Sequence, residues 1–152
     1  MLVDSNQKML SMPELIAIGA RMSGEKMSQK RLETYLQYEF ALPNVFKCRE
    51  GNTIFIVHST HIPGVGYART INADTAPNYV HNLITFAKAA YQAGYDNVVA
   101  NFKDKRILRA FHIIATMNPP DMGFAVQNTK DGGHQVTIQC GKPRGDANGL
   151  RS

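Results

Sequence analysis

Apolar positions recur with a helical period from Leu15 to Phe40, then gather into strand-like runs, and the two periods alternate to the end of the chain. Ser11-Met12-Pro13-Glu14 reads as a helix start, with Ser11 as cap and Glu14 completing a capping box. Leu15, Ile16, Ile18 and Met22 follow, and Gly24 ends the run. A second helix is expected over roughly Glu25–Phe40, with Leu32, Tyr35, Leu36 and Phe40 on one stripe and Pro43 marking its end.

The period then shortens. Val45–Arg49 reads as a strand, Glu50-Gly51-Asn52 as a turn, and Thr53–His58 as a strand that pairs with Val65–Ile71 across a loop holding Pro63 and Gly64. Thr75-Ala76-Pro77 starts a helix, with Thr75 as cap, whose Tyr79, Leu83, Phe86 and Ala90 form a buried stripe; Gly94 closes it. Asn97–Phe102 is a short strand, so strand, helix and strand form a right-handed unit on one sheet. Asp104 caps a last helix with Ile107, Leu108, Phe111 and Ile114 inward, and Asn118-Pro119-Pro120 breaks it. Gly123–Asn128 and a strand in which Val136, Ile138 and Cys140 alternate with Gln135, Thr137 and Gln139 form a hairpin around Asp131-Gly132-Gly133. The expected organisation is one α+β domain over residues 11–141, an extension over 1–10 and a tail over 142–152. The tail is rich in Gly, Arg and Asn and reads as disordered or partner-dependent; its Arg144-Gly145-Asp146 is a chance tripeptide.

Composition narrows the class. The 152 residues are 43% apolar and 19% charged, as in a folded globular chain, and the net charge of +5 favours acidic partners. The basic residues are dispersed: Lys26, Lys30 and Arg31 lie in one helix and Lys103, Lys105, Arg106 and Arg109 near another. Cys48 and Cys140 are too few for a disulfide scaffold and point to a cytosol-like compartment. Residues 1–11 hold no signal-peptide core, and no apolar run approaches the ~20 residues of a membrane span. His58 and His61 are three residues apart but lack further ligands at metal spacing, so no metal site is expected. Asp74 and Glu50 are the nearest general-base candidates and read first as turn or cap residues.

The order of elements from Asn44 to Gly141 resembles the GNAT (GCN5-related N-acetyltransferase) fold: a central mixed, mostly antiparallel sheet flanked by helices. The resemblance implies that the strand Val65–Ile71 splays from Asn97–Phe102 and that the pantetheine of acetyl-CoA lies in the gap. It also implies that backbone N–H groups after the first strand, around Ile71, Asn72, Ala73, Thr75 and Asn78, meet the pyrophosphate at a helix N-terminus, where orphan amides and the helix dipole favour an anion.

The chain departs from the family pattern at the chemistry. The loop Asn72-Ala73-Asp74-Thr75-Ala76-Pro77-Asn78 has none of the usual glycines, Asp74 adds negative charge, and Pro77 removes a donor. Asp104 stands near a family Asn, Gly123-Phe124 opens the next strand, and Ala115–Met122 is an insertion. Phe111 stands where a Tyr would donate a proton, which leaves His112 as a weak catalytic candidate.

The first expectation is therefore a degenerate GNAT-like protein without a cofactor, similar to small virion and internal virion proteins of tailed phages, cytoplasmic or virion-associated, and working through contacts with other proteins. An active N-acyltransferase using acetyl-CoA, with its amine substrate near His58, His61 and Tyr67, is the alternative. A basic nucleic-acid-binding module, using Tyr91, Tyr95 and Phe102 beside the Lys103–Arg109 cluster, is a second alternative.

Overall fold

The structure, a computed structural model, describes residues 8–22 and 28–143. Its elements run α1 Met12–Met22, α2 Gln29–Ala41, β1 Phe46–Glu50, β2 Thr53–Ser59, β3 Val65–Asn72, α3 Ala76–Gln92, β4 Asn97–Phe102, α4 Lys105–Met117, β5 Gly123–Asn128 and β6 His134–Gln139. The strands make one six-stranded sheet in the order β1-β2-β3-β4-β6-β5. All pairs are antiparallel except β3 with β4. This is the expected α+β architecture.

β2 explains the layering. Its Ile54 and Ile56 point to one face and Phe55 and Val57 to the other, and all four are buried. A strand covered on both sides reads as a continuous apolar run rather than an alternating one. On one face α1 and α2 bring Leu15, Ile16, Leu32 and Leu36 against Ile54, Ile56 and Ile71. On the other, α3 and α4 bring Tyr79, Leu83, Phe86, Phe111 and Ile114 against Phe55, Val57, Ala68, Val98, Val136 and Ile138. Phe55 and Phe86 stack with centroids 4.1 Å apart.

Helix starts follow the local chemistry. Ser11 Oγ accepts from Glu14 N at 3.3 Å while Glu14 Oε1 accepts from Ser11 N at 3.2 Å, the reciprocal capping box. Asp104 Oδ1 accepts from Arg106 N at 2.9 Å and caps α4. Thr75 occupies the cap position of α3, but its side chain makes no capping bond.

Several expectations shift. The expected helix start at Glu25 and the stop at Gly24 lie outside the described residues; α2 begins at Gln29, capped by Ser28. Its inward stripe is Leu32, Leu36 and Glu39, while Phe40 is exposed. Spacings of four and three from Leu32 reach position 39 rather than 40. In α4, Ala110 is buried and Leu108 only half so, because positions 107, 110, 111 and 114 share the inward face. Cys140 is buried just past the end of β6. The Arg144–Asp146 tripeptide and most of the tail lie outside the described residues; Lys142 O accepts from Tyr91 Oη at 2.7 Å. Among the described residues no helix is long and apolar enough to cross a membrane.

One feature of the sheet positions the site. β3 and β4 pair only from Val65–Asn97 to Ala68–Ala100. Beyond that point β3 stays with β2 as far as Asn72, and β4 stays with β6 as far as Phe102. The two parallel strands therefore part at their C-terminal ends.

Candidate functional site

The parted strands open into a cleft of about 460 Å³ lined by Thr70 and Asn72 of β3, Asn101 and Phe102 at the end of β4 with Lys103 and Asp104 after it, and the β5–β6 hairpin. The size suits a small-molecule ligand. Lys103 and Asp131 pair at 3.4 Å on its rim. Beneath the splay, the buried Tyr79 hydroxyl is hydrogen-bonded with Thr70, and burial holds its proton well above the ordinary phenol range. Sequence reading placed Tyr79 in the core stripe and missed its position under the splay, since stripe periodicity does not say which strands a helix covers.

The β3–α3 loop carries most of the polar architecture. Asp74 is buried, and its carboxylate accepts from Asn52 N at 2.9 Å, Asn52 Nδ2 at 3.1 Å and Asn82 Nδ2 at 2.5 Å. Ala73 N donates to Asn52 O at 2.9 Å, and Asp74 N donates to Asn72 Oδ1 at 2.9 Å. The N–H groups of Ala73 and Asp74 are thus bonded inside the protein. Two of the loop's carbonyls accept from a distant arginine. Arg106 Nη2 donates to Asn72 O at 2.7 Å, and Nη1 donates to Asp74 O at 3.2 Å. The same guanidinium is held by Asp104 through Nε at 3.0 Å and Nη2 at 2.6 Å. Arg106 therefore ties the start of α4 to the loop after β3, across the ends of the parted strands.

A second pocket, of about 250 Å³, lies on the α2 side of the sheet and is lined by Tyr35, His58, Tyr67, Arg69 and Asn101. Behind it Glu39, 5% exposed, sets Oε2 2.9 Å from His58 Nε2. That oxygen has no well-aligned hydrogen bond, so the contact is an ion pair held by proximity when the ring is protonated. Arg69 stacks over Tyr35 with its guanidinium carbon 4.8 Å from the ring centre. Asn101 Nδ2 donates to Tyr67 Oη at 2.9 Å. Glu39 was not among the residues singled out from sequence. The available signal was an acidic residue at the inward position of an otherwise apolar stripe.

With this geometry established, solved structures supply the comparison. The chain superposes on the ribosomal-protein-S18-alanine N-acetyltransferase of Escherichia coli with a TM-score of 0.52 at 12% identity, over 92% of this chain and 96% of that one. The fold is GNAT-like. An acetyltransferase of the GNAT family from Streptococcus pneumoniae matches with a TM-score of 0.46 at 10% identity, over 84% of this chain and 95% of that one. No family model matches the sequence, and no curated protein is detectably similar to it.

On this GNAT-like fold the candidate cofactor residues differ in exposure and in the surfaces they line. Of Ile71, Asn72, Ala73, Thr75 and Asn78, only Asn72 lines the larger cleft. Ile71 is sealed under α1, where a Cβ on Gly19 would stand 2.4 Å from it. Asn78 is buried, Ala73 half-buried and Thr75 exposed. Asp74 does not project toward an incoming anion as its position in the loop suggested; it is turned inward. The N–H groups of Ala73 and Asp74 are bonded within the protein, the carbonyls of Asn72 and Asp74 are held by Arg106, and Pro77 in the first turn of α3 has no N–H to offer an anion.

The catalytic candidates separate too. Phe111 is buried, with Phe102 5.8 Å and Phe124 5.0 Å from it. His112 is exposed on α4 and lines none of the pockets described here. Burial holds the Glu50 carboxyl above its ordinary value, and His81 pulls it partly back. No cluster of three metal-ligating side chains occurs among the described residues. Tyr95, bonded to Ser59 at 2.8 Å, precedes β4, whereas Phe102 ends that strand next to Lys103, so Tyr95 stands at the opposite end of β4 from the basic group.

Proposed function

We propose that this chain is a catalytically degenerate GNAT-like protein that works through contacts with other proteins, as a component of a virion or similar assembly of the tailed-phage type. One observation carries the reading. The loop that would hold a diphosphate spends the N–H groups of Ala73 and Asp74 on Asn52 and Asn72 and offers the carbonyls of Asn72 and Asp74 to Arg106. The burial of Phe111 at the proton-donor position supports it. A basic chain with a polar tail suits an assembly role.

Titration with acetyl-CoA, followed by thermal melting and calorimetry, tests this. No shift is expected at about 1 mM ligand. A dissociation constant near 10 μM would add about 2.7 kcal/mol under those conditions, raising the melting point by roughly 5–10 °C, and would overturn the reading.

The acyltransferase alternative has its own support in the retained splay and the Glu39–His58 pair beside it. Release of CoA thiol from acetyl-CoA in the presence of peptide amines, lost in His58→Asn, would establish it.

A further inference from the structure

We propose that β5 is the seam of a symmetric dimer, in which the open edge of the sheet pairs antiparallel with β5 of a second copy of this chain. The proposal goes beyond the non-catalytic reading and stands whether or not acetyl-CoA binds.

The sheet ends in β1 on one side and β5 on the other, and the two edges differ. β1 carries Lys47, Arg49 and Glu50, and Lys47 Nζ is bonded to the carbonyls of Glu39 and Leu42. Charges along an edge deter pairing with another chain. β5 reads Gly123-Phe124-Ala125-Val126-Gln127-Asn128, without a charge or a proline. Its register with β6 runs from Gly123–Gln139 to Asn128–His134 without a bulge. An edge of this kind is a template for a further strand.

The hairpin fixes which backbone groups are open. Thr129 N donates to Gly133 O at 3.0 Å, and Gly132 N donates to Thr129 O at 3.3 Å. Bonded and non-bonded pairs alternate along an antiparallel ladder, so Gln127, Ala125 and Gly123 are the residues that bond to β6. The N–H and C=O groups of Phe124, Val126 and Asn128 therefore face away from the sheet.

Symmetry and charge name the occupant. A two-fold axis at Ala125 sets Phe124 of each copy opposite Val126 of the other, and each pair exchanges two of the open backbone bonds. Both side chains are half-buried at the margin of the α3–α4 cluster, where an aromatic and β-branched cross-strand pair would cover them. The same axis brings opposite ends of β5 together. Asp121 is exposed before the strand and Lys130 is exposed after it, and neither side chain has an ion-pair partner among the described residues. In the dimer, Asp121 of one copy and Lys130 of the other stand at the same end of the seam, once at each end. Opposite charges there oppose the repulsion between two chains that each carry +5.

The test is sedimentation equilibrium of the full chain from about 5 to 500 μM, with amide hydrogen exchange at both ends of that range. A single strand pair is at the small end of specific interfaces, so the chain is expected to pass from monomer to dimer within it. The amides of Phe124 and Val126 should exchange at least about tenfold more slowly at the high concentration than at the low one. Val126→Pro removes an outward N–H and no bond to β6, so it should keep the circular dichroism of the fold and lose the dimer. Lys130→Glu gathers like charges at each end of the seam and should weaken dimerisation at least about tenfold. Lys88→Glu, the same charge change on an exposed position of α3, should leave it unchanged. A monomer throughout the range, a dimer with unprotected Phe124 and Val126 amides, or a dimer that neither Val126→Pro nor Lys130→Glu weakens would overturn the proposal. Protection of those two amides in a chain that stays monomeric would mean that another segment of the same chain covers β5, and would overturn it as well.

Discussion

Asp74 and Glu39 are both carboxylates withdrawn from water, and their surroundings differ sharply. Asp74 accepts three hydrogen bonds from asparagine donors and serves the loop's architecture. Glu39 has a single histidine at its buried oxygen. Cys48 shows the same logic in a nucleophile. Burial first, then the charge of Glu50, pushes its thiol up to about 12 from an ordinary 9.0. The unfolded chain loses this proton first as pH rises. The folded state thus holds the extra proton across that window, and the Cys48 contribution to stability is full below 9 and lost as pH climbs toward 12. At pH 8 the native thiol stays neutral and is a poor nucleophile. Alkylation of Cys48 by iodoacetamide, followed by peptide mass spectrometry, should be at least about tenfold slower in native protein than in urea; equal rates would show an accessible thiolate.

Elements are where sequence patterns work best and where one residue of phase matters most. Each strand and helix expected from periodicity exists, because caps, turns and apolar stripes are local signals. The phase error in α2 put Phe40 inside and hid Glu39, the residue behind the second pocket. The tie between α4 and the β3–α3 loop was also invisible. Arg106 and Asn72 are 34 residues apart, and no local pattern links a helix-start arginine to a distant carbonyl. Arg106→Lys keeps the charge but loses the planar fork. The expected cost is about 1–3 kcal/mol, measured by urea denaturation. Amides of residues 105–108 and 73–75 should exchange faster while those of β1 and β2 hold. Uniform acceleration across the sheet would mean that Arg106 is not a local clamp.

At the scale of the molecule, one sheet is shared by two apolar clusters, each closed by its own pair of helices. β2 supplies residues to both, so neither cluster can come apart without exposing the other. Leu36→Ala and Phe86→Ala, one from each cluster, should cost about 2–5 and 3–5 kcal/mol. Both should move a single transition seen alike by circular dichroism and tyrosine fluorescence. Two separated transitions in either variant would mean that the faces unfold independently. Gly66 shows how tightly the layers close. A Cβ there would lie 2.4 Å from Val57 and 2.9 Å from the Tyr95 ring, beside the residues at which β3 and β4 begin to pair.

The amino-acid sequence by itself determined the elements, their order and the α+β class, because these rest on periodicity and turn chemistry within a few residues of each other; the GNAT-like architecture followed from the resemblance of that order to a known family. It also marked the absence of glycines in the β3–α3 loop and the phenylalanine at position 111. Only the tertiary structure decided where those residues stand and what they touch. It turned Asp74 inward, set Arg106 across the ends of the parted strands, left His112 on the outer face of α4, and brought Glu39 to His58 from a helix 19 residues away. Such placements depend on long-range packing that fixes both partners at once, and that information is spread over the whole chain.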